Sequence, residues 1–105
     1  MPGILVLTTV NSKSEAESLA RMLVSKKLAA CVNVSAPVIS YYEWQGVIEE
    51  EQEYKLFIKS TGEKWPLLKR AIQENHTYEV AEISRIDFSG MNESYQKWLE
   101  DYLGG

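Results

Sequence analysis

The sequence has one cysteine, one histidine and three prolines in 105 residues, and no apolar run long enough to cross a membrane. A single cysteine excludes an intrachain disulfide framework and suits a reducing interior. With no basic, apolar and small-residue leader pattern at the start, the expected location is cytoplasmic. The lack of an apolar span argues against a membrane partner. Arginine is sparse too: Arg21, Arg70 and Arg85 form no cluster, and the net charge is -4, so nucleic acid is not an expected partner. There is no Gly-x-Ser-x-Gly, no phosphate-binding glycine loop and no second histidine to pair with the first, so no enzyme is expected. No CxxC, HxxxH or HExxH spacing marks a preformed metal site.

What is present is strand. From Ala29 to Ser60 two β-rich arms face each other across Gln45-Gly46: Val32, Val34, Val38, Ile39, Tyr41, Tyr42 and Trp44 in one, Val47, Ile48, Tyr54, Leu56, Phe57 and Ile58 in the other. An arm of about a dozen residues spans about 40 Å. A compact domain of this size has a radius of gyration of about 13 Å, so the ribbon should overhang its own body. A lone two-stranded ribbon is marginal in water, and the simplest cover is a second copy of the chain. Pro37 cannot donate to a ladder and predicts a bulge or an edge position.

The remaining elements fall around this ribbon. Gly3 to Thr9 is apolar on both faces and reads as a first, central strand. Ser12 with Glu15, or Ser14 with Glu17, caps a helix striped by Ala16, Leu19, Ala20 and Leu23. After Gly62 comes a second helix with Pro66 in its first turn and an apolar face of Leu68, Ala71 and Ile72. A strand follows at about Glu82 to Phe88. Then Asn92 caps a last helix with the stripe Tyr95, Trp98, Leu99 and Tyr102, which Gly104 should follow. The expectation is one α+β domain over residues 1–105, a ferredoxin-like βαββαβ sandwich with a long hairpin between its second and third strands and an added C-terminal helix. One sheet face of such a sandwich lacks helices, yet the first strand is apolar there too, which points to oligomerisation.

Four collinear motifs carry a family resemblance. They are Lys27-Leu28-Ala29-Ala30-Cys31-Val32-Asn33, Tyr42-Glu43-Trp44-Gln45-Gly46, Ile58-Lys59-Ser60 and His76-Thr77-Tyr78-Glu79-Val80-Ala81-Glu82-Ile83. The chain resembles the CutA-type divalent-cation tolerance proteins over essentially its whole length. The resemblance implies a cytoplasmic homotrimer whose hairpins bind across subunits, with an architecture like that of PII signalling proteins, and a role in divalent-metal tolerance with copper binding. Thr77 stands where the family usually has proline, and Thr8 and Asn75 stand where some members have a cysteine and a second histidine.

Cys31 and His76 are the only thiol and the only imidazole, so a site for copper or another divalent cation must use one or both. Glu79, three residues after His76, or a neighbouring subunit would complete it. The plainer readings are a small buried hydrophobe for Cys31 and a hydrogen-bonded turn residue at a helix end for His76. Glu49, Glu50, Glu51 and Glu53 read as a solvated strand edge. Trp44, Lys59 and Tyr78 are candidates for a cleft between subunits. No cofactor is expected to be essential, and no protein partner is readable. The alternative function is a PII-like trimeric regulatory module that senses a small ligand in those clefts.

Overall fold

Two antiparallel ladders share one long strand. In the computed structural model, which describes residues 3–104, the elements are β1 (Gly3–Val10), α1 (Lys13–Ser25), β2 (Cys31–Val34), β3 (Val38–Trp44), β4 (Val47–Thr61), α2 (Trp65–Asn75, entered through a 3-10 turn at Gly62–Lys64), β5 (Ser84–Asp87) and α3 (Glu93–Gly104). The sheet order is β2-β4-β1-β5, and β3 pairs only with the far half of β4. This is the ferredoxin-like arrangement expected from the element order. The molecule measures 46 × 25 × 24 Å with a radius of gyration of 14.5 Å. The ribbon overhangs the body, as its length requires.

The core follows from alternation. Ile4, Val6, Thr8 and Val10 point inward from β1, and Leu56 and Ile58 from β4. They meet Ala16, Leu19 and Leu23 of α1 and Leu68 and Ile72 of α2. Of the two possible caps for α1, Ser12 is the one used: its hydroxyl accepts from the Glu15 N–H at 3.2 Å. The opposite sheet face carries Leu5, Leu7 and Phe57, all half-buried. α3 covers one end of that face through Leu99, Leu103 and Tyr95 against Ala30. Its apolar stripe departs from the expected one at Trp98, which is 48% exposed; Leu103 is buried, and the helix includes Gly104. Glu82, Ile83 and Phe88 lie outside β5, which is shorter than the pattern suggested.

The ribbon is set by two local devices. Gln45 (φ 51°) and Gly46 (φ 82°) both have positive φ in a two-residue loop between paired Trp44 and Val47, the geometry of a tight hairpin. The rising arm is interrupted where Pro37 predicted. Val34 pairs with Leu56 and Val38 with Glu53, so three residues, 35–37, stand opposite two, 54–55. That extra residue is a bulge. Ser35 stitches it: its N–H donates to the Lys55 carbonyl, and its Oγ accepts from the Lys55 N–H, both at 2.9 Å.

One core contact is poorly satisfied. The Thr8 hydroxyl is buried among aliphatic side chains with no hydrogen-bond partner. Replacing it by an isosteric methyl removes a desolvated polar group, so Thr8→Val should raise stability by about 1 kcal/mol. Chemical denaturation checks this; a lower unfolding midpoint for Thr8→Val would contradict it.

Candidate functional site

The densest polar constellation gathers where α2 hands over to β5. β1 and β5 pair from Ile4–Asp87 to Leu7–Ser84. Continued in the same register, Thr9 would face position 82. The chain from 76 to 83 leaves the ladder instead, and the backbone carbonyl of Thr9 is taken over by His76, whose Nε2 donates to it at 2.8 Å. The other ring nitrogen, Nδ1, accepts from the Tyr78 N–H at 3.0 Å. An amide N–H can only donate, so this pair of bonds assigns a neutral imidazole with its proton on Nε2. The one in-plane lone pair of the ring, on Nδ1, and its one N–H, on Nε2, are thereby both committed.

The next two residues tie the same segment to other elements. Thr77 donates to Glu15 Oε2 of α1 twice, from its N–H at 3.3 Å and its hydroxyl at 2.8 Å. The Tyr78 hydroxyl donates to Glu53 Oε2 of β4 at 2.5 Å, and its ring lies 4.8 Å from that of His76. Burial, the bond to Glu53 and the nearby charges of Glu53, Glu51 and Glu15 push the Tyr78 phenol well above its usual range, so it stays a neutral donor. The segment walls an open cavity of about 410 Å³ lined by Gln73, His76, Tyr78, Glu79, Val80, Ala81 and Ile83.

Cys31 lies elsewhere. It begins β2, pairs with Lys59, and is half-buried beside Tyr95 of α3. Burial first, and then the adjacent thiol, push the Tyr95 phenol up. Lys59 Nζ donates to Asn33 Oδ1 at 2.8 Å and sits 6.0 Å from the Tyr95 ring. Lys59 stands level with Leu5 of β1, whereas His76 is anchored at Thr9 on the opposite edge of that strand. Two inter-strand steps and four residues along the strand separate Cys31 from Thr9, about 10 Å one way and about 13 Å the other, and the imidazole lies beyond Thr9 on the far side.

The expected metal set of His76, Cys31 and Glu79 is therefore not assembled within one chain. Glu79 is exposed and neighbours His76, but the imidazole has no nitrogen to offer while it holds Thr9 and Tyr78. Among the described residues, no three His, Cys, Asp or Glu side chains stand close enough to hold an ion. The cleft set is likewise dispersed. Trp44 sits at the ribbon tip, 56% exposed, and β4 runs from its partner Val47 to Lys59, a span of about 40 Å.

Glu53 departs from the reading of the glutamate run as a solvated edge, being only 7% exposed under the Tyr78 hydroxyl. The Glu51 carboxylate beside Tyr42 pushes that phenol up. Glu15, Glu53 and the Thr9 carbonyl are the site residues that sequence reasoning missed. They lie 62, 25 and 67 positions from their partners, and no local motif links them.

The element order, the overhanging hairpin and the added helix define a ferredoxin-like α+β protein, a fold that does not by itself fix a function. The comparison with known proteins makes this specific. The sequence model of the CutA1 divalent ion tolerance protein family matches residues 4–102, and the chain belongs to that family. It is 39% identical over 99 residues to the divalent-cation tolerance protein CutA of Thermus thermophilus, covering 94% of this chain and 96% of the relative. It is 34% identical to the chloroplastic CutA protein of Arabidopsis thaliana, but spans only 56% of that longer chain. The crystal structure of CutA1 from Oryza sativa matches with a TM-score of 0.94 at 34% identity, covering 97% of this chain and 94% of the other. The family is one of divalent-cation tolerance and is not known as an enzyme family. Nothing in these likenesses supports the alternative of a PII-like ligand sensor.

Removing the imidazole should cost stability, since His76→Ala strands the Thr9 carbonyl and the Tyr78 N–H. The expected loss is about 1–3 kcal/mol, read from denaturant unfolding. A variant as stable as the parent would show that water replaces both bonds.

Proposed function

We propose that this chain acts in divalent-cation tolerance as a cytoplasmic, non-enzymatic homotrimer, the whole of residues 1–105 working as one domain, with copper as the favoured ion. Family membership across residues 4–102 carries the tolerance reading. Assembly is supported by the ribbon. Ile39, Tyr41 and Ile48 on one face of it, and Trp44 and Val47 on the other, are each at least half exposed, and apolar surface on a projecting ribbon is of the kind that marks an interface. The half-buried Leu5, Leu7 and Phe57 on the uncovered sheet face point the same way. The cytoplasmic location rests on the lone cysteine, and the chloroplastic name of one relative shows that location varies in the family.

Copper is best served by the thiol. Cys31 is the soft donor of the chain and is free of any disulfide, while His76 is engaged in holding its own segment. Among the described residues no three His, Cys, Asp or Glu side chains gather into an ion site, so the remaining donors of the proposed site come from an adjoining subunit.

In a light-scattering measurement coupled to gel filtration, the expected mass is about three times the 12.0 kDa of the chain. Ile48→Asp, at a position 67% exposed in one chain, should leave the fold intact and break up the assembly. A monomeric parent protein, or a variant that stays trimeric, would overturn the ribbon's role. Titration with copper tests the metal. Cys31→Ser should lower affinity at least tenfold, about 1.4 kcal/mol. Affinity should also fall on acidification, because the thiol must lose its proton to bind. Unchanged copper affinity in the folded Cys31→Ser protein would remove the thiol from the site.

A further inference from the structure

We infer that His76 is an acid-released latch on the segment 76–83, and hence on the wall of the cavity that this segment forms. Three observations carry it. First, the latch works through a specific tautomer: Nδ1 must be bare to accept the Tyr78 N–H at 3.0 Å while Nε2–H holds the Thr9 carbonyl at 2.8 Å. A second ring proton would sit on Nδ1, pointing at the Tyr78 N–H. Two donors cannot share that position, so the imidazolium keeps the Thr9 bond and loses the Tyr78 bond.

Second, the segment has few other holds. Val80 is 79% exposed, Thr77 and Glu79 are exposed, and the strand ladder resumes only at Ser84. Besides His76, the hydrogen bonds that tie residues 76–78 to the body end on Glu15 and Glu53. Third, six of the seven residues lining the 410 Å³ cavity belong to this segment, Gln73 being the exception. Releasing Tyr78 therefore changes the shape of the cavity rather than of the core.

The ionisable groups around the latch are chiefly carboxylates. β1, running from Gly3 to Val10, has no ionisable side chain. α1 contributes Glu15, β4 contributes Glu51 and Glu53, the segment itself Tyr78 and Glu79, and the end of α2 the exposed Glu74. The carboxylates are acceptors, and Glu15 and Glu53 already receive Thr77 and Tyr78. The direction follows from the geometry: the bond to the Tyr78 N–H exists only while Nδ1 is bare, so it is lost when acid puts a second proton on the ring.

Hydrogen exchange of the intact protein, read by mass spectrometry between pH 8 and pH 5 and corrected for the intrinsic pH dependence of exchange, tests the latch. Protection of residues 76–83 should fall about tenfold or more toward pH 5, while that of α1 and the β1–β4 ladder holds. Protection that stays flat would overturn the inference. In Glu15→Gln, which keeps an acceptor but removes a carboxylate, the fall should persist; its disappearance would assign the switch to Glu15 instead. In His76→Gln the segment should be weakly protected at every pH, and a parent-like pH response there would also overturn it. Should that variant fail to fold, imidazole ¹⁵N shifts of the parent protein at pH 8 decide alone: the Nε2–H tautomer is required, and the Nδ1–H tautomer excludes the latch.

Discussion

Eight residue pairs join β1 to β4, from Gly3–Thr61 to Val10–Tyr54, and there β1 ends while β4 has Val47 to Glu53 still to run. That mismatch in length governs the rest. Within the paired stretch β4 has neighbours on both edges, and its alternate residues Leu56, Ile58 and Ser60 are buried. Beyond it only β3 remains as a partner, and no helix covers either face. Backbone groups on the outer edges of the ribbon then meet water, and aromatic and β-branched side chains line it without a core beneath them. The bulge at 35–37 marks this transition. It shifts the pairing by one residue where the ribbon leaves the body, and added twist at a bulge lets the two ladders differ in direction.

Much of this was legible in local chemistry. Gln45-Gly46 between two β-rich runs gives the hairpin, Pro37 the bulge, Ser12 the cap and Pro66 the first turn of α2, because each acts within a few residues of itself. The long-range pairs were not legible. A glutamate in a run of four looks solvated until the fold places a tyrosine hydroxyl over one of them, and nothing near Glu53 signals Tyr78. The α3 stripe holds except at Trp98: Leu99 is buried, Tyr95 and Tyr102 pack partly buried beside it, Leu103 joins them, and Trp98 stays exposed between the two tyrosine rings.

The reading of His76 as a turn residue at a helix end holds, while the metal reading of the same residue conflicts with its geometry. A ligand must present a free lone pair, and a histidine whose two nitrogens satisfy one carbonyl and one amide has none to give without stranding a backbone group. Thr77 contributes to this arrangement. With an N–H and a hydroxyl in place of a proline ring, it supplies two donors to Glu15. The segment is held by side-chain chemistry instead of by a fixed backbone angle.

The groups with functional chemistry are thus spread over the chain: the thiol at one edge of the sheet, the imidazole at the other, and Trp44 at the end of an arm whose span is most of the 46 Å length of the molecule. No movement within a compact body brings such points together. On the reading proposed above, contact between copies does, with the ribbon of one reaching the sheet of another. On the same reading, an ion held between subunits binds the assembled form alone and stabilises it by mass action. Metal occupancy and assembly are then one equilibrium, and a substitution on the ribbon and a substitution at Cys31 act on the same quantity from opposite ends.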